Sequence, residues 1–122
     1  MSRRAVRITR NFAGNLDDIE RFLQEQDAPR AFSALLKQLF ETIVPNLRRF
    51  PNLGKDFLAR QPRSTEGAAR LVALKERLGE NSQLREYVTG DYIILYATRG
   101  NTLYLLSIRH HRQLSFDFRG HW

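Results

Sequence analysis

The chain contains no cysteine. That excludes disulfides, thiolate metal sites and a Cys nucleophile, and it suits a reducing compartment. Lysine is nearly as scarce: Lys37, Lys55 and Lys75 are three of twenty basic residues, and the others are all arginine. No apolar run approaches the roughly 20 residues needed to span a bilayer. The opening "MSRRAVRITR" is basic, but no apolar segment follows it, so it does not read as a secretory signal. A cytoplasmic protein without membrane contact is expected. Walker A, Gly-rich dinucleotide and Ser-nucleophile signatures are missing as well. His110 and His111 are adjacent rather than spaced for joint ligation, and His121 lies in the tail, so neither a metal nor another cofactor is expected.

What the chain has is positive charge. Its 122 residues fit one domain, 1–122, with 42% hydrophobic and 27% charged residues, ordinary for a globular protein. A net charge of +7 predicts attraction to a polyanion or to an acidic partner. Arginine's planar fork suits bidentate contacts to phosphate or carboxylate. Nucleic acid and an acidic protein segment are both open at this point, as is a surface kept basic for solubility.

Hydrophobic periodicity orders the rest. "RAVRITR" alternates and predicts a first strand. "NFAGNLDDIERFLQEQ" turns helical, with Leu16, Ile19 and Leu23 on one face and Asn15 as an N-cap candidate. "DAPRAFSALLKQLFETIV" restarts the helix, with Asp27 as cap candidate and Pro29 in the first turn. Its stripe is Phe32, Leu35, Leu36, Leu39, Phe40 and Ile43, and Pro45 is expected to weaken or end it, with "NLRRF" able to carry another turn before Pro51. The short connection implies an antiparallel helical hairpin. "FPNLGKDFLARQPRS" reads as a loop. "STEGAARLVALKERLGEN" reads as a third helix, with Gly79 placed as its C-cap. Three strand candidates follow, "QLREYVTG", "YIILYAT" and "TLYLLSIR", joined by "GD" and "RGN" turns. The all-apolar middle run should be the central strand. The fold class is α+β: a helical hairpin packed on a small, mostly antiparallel sheet, with an extra helix before a three-strand meander.

This order of elements, with "FPNLGK" at 50–55 and "LREYVTGDYIILYATRGNTLYLLSIRHHRQ" at 84–113, resembles the RelE/ParE superfamily of type II toxins. The likeness lies in the Pro-x-Leu-Gly loop and in Arg85 opening the second strand. It extends to Tyr92, Ile94 and Tyr96 in the central strand and to the basic end Arg109–Arg112. Residues 56–83 depart from the family as an insertion, and 114–122 form a tail with Phe116, Phe118 and Trp122. That tail either folds back or meets the antitoxin or a second copy. The resemblance implies a toxin neutralised by a cognate antitoxin. It implies either ParE-like inhibition of DNA gyrase or RelE-like cleavage of mRNA on the ribosome. "IRHHRQ" is more similar to the ParE-type, plasmid-stabilisation branch. A plain nucleic-acid-binding domain is the reading outside toxin biology.

The two target classes ask for different chemistry. Metal-free RNA cleavage needs a base, a proton donor and cations for the phosphorane charge. His111 with Arg109, and Arg85 from the neighbouring strand, are the catalytic candidates for that case. Strand alternation puts Arg109 and His111 on one face and His110 on the other. Lys55, Arg60, Arg63, Arg85, Arg109 and Arg112 are the candidates for binding a target or polyanion. Tyr87, Tyr92, Tyr96 and Tyr104, at strand spacing, are expected mainly as core or cross-strand partners rather than base-stacking platforms.

Overall fold

The computed structural model describes residues 4–56 and 82–110. The expected third helix and the 114–122 tail lie outside the described residues, as do Arg60, Arg63, His111 and Arg112. Strand β1 (Ala5–Ile8) leads into helix α1 (Arg10–Glu25), which turns into α2 (Pro29–Gln38). A single π turn, Leu39–Ile43, joins α2 to α3 (Val44–Arg49). Then come β2 (Lys55–Asp56), β3 (Gln83–Thr89), β4 (Tyr92–Arg99) and β5 (Thr102–His110). The strands form one mixed sheet in the order β1-β5-β4-β3-β2, with β1 parallel to β5 and the other pairs antiparallel. Strand β4, which holds the apolar run "YIILYAT", is central, as that composition demands. No helix of the described residues is long and apolar enough to cross a membrane.

The main core lies on the helix side of the sheet, while Leu84, Leu95 and Ala97 are buried on its other face. Phe12, Ile19 and Leu23 from α1 meet Leu35, Leu39, Ile43 and Leu47 from the α2–α3 arm over Ile94, Tyr96, Leu103, Leu105 and Ile108. Phe40, in the predicted stripe, instead stands exposed at 42%. The four-residue spacing of Leu35, Leu39, Ile43 and Leu47 tracks the wider π turn. That turn also absorbs Pro45, which was expected to weaken or end the helix. Proline offers no N–H to the Glu41 carbonyl and its ring would collide with it. The π turn relieves this by bonding the Val44 N–H to the Leu39 carbonyl, five residues back.

Two helix boundaries differ from the sequence reading. Helix α1 starts six residues earlier than an Asn15 cap would allow, because Thr9 is the N-cap and its hydroxyl accepts from the Phe12 N–H at 3.2 Å. Asn15 is buried within the helix. Asp27 ends α1 rather than starting α2. It adopts φ 55°, while Ala28 N–H bonds Leu23 O (2.8 Å) and Asp27 N–H bonds Gln24 O (3.1 Å). This is a Schellman closure with a non-glycine in the left-handed position.

Candidate target-binding site

The basic end of the last strand is shaped by a bulge. Leu95 pairs with Ser107 and Tyr96 with Leu105, so Leu106 is an extra residue on β5 with no opposite number. Before it, Leu103 and Leu105 face the helices; after it, Ile108 and His110 do. Odd positions therefore point inward before the bulge and even positions after it. Arg109 falls on the face turned away from the helices.

Helix α1 supplies the polar partners of this irregular stretch. Strand β1 ends at Ile8, opposite Leu105, and leaves the next groups along that edge of β5 without a strand beside them. Thr9 Oγ1 donates to Leu105 O at 2.8 Å. Asn11 Nδ2 donates to Leu106 O at 2.9 Å. Asn15 Oδ1 accepts from Ser107 Oγ at 3.0 Å, from the Ile108 N–H at 3.1 Å and from Asn11 Nδ2 at 3.3 Å. Both asparagines are buried, and a buried amide is stable only when bonded in this way.

His110 is a core residue. Its ring lies 5.3 Å from Phe22 and 5.2 Å, edge-on, from its cross-strand partner Tyr92. Arg109 sits opposite Ile93, and Ile93 sits opposite Val88. On the outer face this makes a row across three strands: a half-exposed arginine, a half-buried isoleucine and a valine that is 61% exposed. Sequence reasoning missed Ile93 and Val88, because an apolar residue next to a turn looks like ordinary strand composition until its face is known.

Arg85 is placed elsewhere. It pairs with Tyr96 and shares that residue's face, the one under the helices. Along β4 its partner lies three positions from that of Arg109, about 10 Å away. Arg85 and Arg109 are therefore not brought together. Instead Arg85 Nη1 donates to Gly54 O at 2.8 Å and Nη2 to Gln83 Oε1 at 3.2 Å. The Tyr96 hydroxyl completes the fastening: it donates to Pro51 O at 2.7 Å and accepts from the Gly54 N–H at 2.9 Å. Burial is the main cause raising the Tyr96 pKa above its ordinary value, opposed by the Gly54 N–H and the Arg85 charge. Gly54 itself has no room for a side chain, since a Cβ there would lie 2.8 Å from Glu86 O and from the Tyr96 ring and hydroxyl. The "PNLG" loop is thus latched onto the sheet from below. Lys55, just beyond it, is exposed and stands opposite Glu86, on the same face as Arg109 but across three strand spacings.

Of the six predicted polyanion contacts, the described residues include Lys55, Arg85 and Arg109, and these do not converge. Tyr87, Tyr92 and Tyr96 belong to or pack on the core, as their spacing implied. The family model for the ParE toxin of type II toxin–antitoxin system, parDE, matches residues 6–115. Among curated proteins none matches the chain.

Proposed function

Because the chain belongs to the ParE toxin family of type II toxin–antitoxin systems, we propose that it inhibits growth by docking on DNA gyrase, and that a cognate antitoxin neutralises it. The observation that carries this reading is the company Arg109 keeps. On the outer face it sits opposite Ile93, and Ile93 in turn sits opposite Val88, an apolar pair. A cation in line with a half-buried isoleucine and an exposed valine fits a protein surface better than a sugar–phosphate backbone. RNA cleavage would need further cations and an acid–base pair around one phosphate. Arg85, the expected second cation, lies on the other face and bonds the Gly54 carbonyl.

The reading predicts that purified protein inhibits gyrase supercoiling while translated mRNA stays intact. Arg109→Ala should raise the concentration needed for half-inhibition by roughly tenfold to a hundredfold, the range for losing a central interface arginine. Codon-phased cuts in translated mRNA, with supercoiling unaffected, would replace this reading by the ribosome-dependent one. A small neighbouring gene whose product restores growth on co-expression identifies the antitoxin. Plasmid stabilisation would then follow from the pair being inherited together.

A further inference from the structure

We propose that Asn15, supported by Asn11, is a positioning residue that decides which face of the sheet Arg109 presents to the target. The inference rests on the reading that Arg109 contacts the target.

A one-residue slip in a β-strand moves every side chain to the other face. With Leu106 present but pulled back into the ladder, alternation from Leu105 would turn Arg109 toward the helices and His110 outward. The observed faces exist because the extra residue is accommodated in the bulge, and the groups around it are bonded from α1. Asn11 takes the Leu106 carbonyl, and Asn15 takes the Ile108 N–H and the Ser107 hydroxyl. One oxygen, Asn15 Oδ1, gathers three donors from two elements. Asparagine is a poor choice inside a helix on propensity alone, and this stretch of α1 carries two of them, one turn apart. Their amides act as a surrogate strand where β1 stops. Removing the acceptor leaves the segment after Leu105 to slip or fray, and either event takes His110 from between Phe22 and Tyr92.

The test compares three variants in the full chain: Asn15→Leu, which removes the acceptor; Asn15→Asp, which keeps an oxygen there; and Asn15→Leu combined with deletion of Leu106. Two quantities are read. One is the set of nuclear Overhauser contacts from the His110 ring to Phe22 and Tyr92. The other is the concentration for half-inhibition of gyrase. Asn15→Leu should lose the ring contacts and require at least tenfold more protein, while Asn15→Asp should keep both near wild type. Deleting Leu106 removes the extra residue, and regular alternation then leaves Arg109 outward, so the combined variant should regain ring contacts and potency. The proposal is overturned if Asn15→Leu keeps the ring contacts, whatever its potency. If Asn15→Leu alone does not fold, the Leu106 deletion decides: it should tolerate Asn15→Leu, and intolerance overturns the proposal. Wild-type protein that leaves gyrase untouched sinks the gyrase reading instead, and the ring contacts still decide the role of Asn15.

Discussion

At the scale of single residues, the latch under the "PNLG" loop makes the sharpest demands. Tyr96→Phe leaves the buried Gly54 N–H without its acceptor, at a cost of about 1–3 kcal/mol, while the part-buried Pro51 carbonyl can turn to water. Urea denaturation should show a loss in that range. Gly54→Ala should cost more, because the methyl would meet backbone and ring atoms at 2.8 Å that cannot move independently. The hydroxyl also sets a pH dependence. An unfolded tyrosine ionises near 10.0, and burial holds Tyr96 above that value. Below pH 10 both states keep the proton and stability is unaffected. As pH rises past 10 the unfolded chain releases its proton first, so stability falls until the folded pKa is passed. Alkaline melts should therefore narrow the stability gap between wild type and Tyr96→Phe above about pH 10; a constant gap would contradict the assignment. None of this was readable beforehand. Arg85 and Arg109 look alike as strand-end arginines in sequence, and only the register of β3 and β5 against β4 puts them on opposite faces.

Among the elements, the helices show how far periodicity carries and where it stops. The spacing of Leu16, Ile19 and Leu23 was enough to find α1, and the apolar run "YIILYAT" was enough to find the central strand. The boundaries needed tertiary information. Asn15 has the chemistry of a cap, yet its partners are in a strand 92 and 93 residues away. Pro45 has the chemistry of a breaker, yet a π turn lets the helical path continue. Helix α1 also leaves room for improvement. Gly14 lies exposed within α1, and a Cβ built on it meets nothing within 4 Å. Gly14→Ala should stabilise by about 0.5–1 kcal/mol, seen as a thermal midpoint raised by a few degrees. A midpoint that falls would mean the helix is not continuous there. Asp27 is the converse case. It holds a left-handed φ of 55° that glycine adopts without strain, so Asp27→Gly should also stabilise, by a smaller increment.

For the molecule as a whole, the pairing of β1 with β5 joins opposite ends of the described chain. It is reinforced by Thr9 Oγ1 on Leu105 O across 96 positions and by Arg48 Nε on Arg4 O at 2.9 Å. Deleting residues 1–8 should therefore abolish cooperative melting in circular dichroism, because Val6 leaves the core margin and Leu103 and Leu105 lose the strand beside them. A truncated chain melting within a few degrees of the full one would refute this. The same connection has a consequence in time. During synthesis β1 emerges first, and the strand it must lie against is the last of the described strands to be made. Until residues 102–110 are available the sheet has no β5, the amides of Asn11 and Asn15 have nothing to hold, and the row through Arg109 does not exist. On the reading that Arg109 contacts the target, a chain of this design cannot present that contact until β5 has been made and has joined β1.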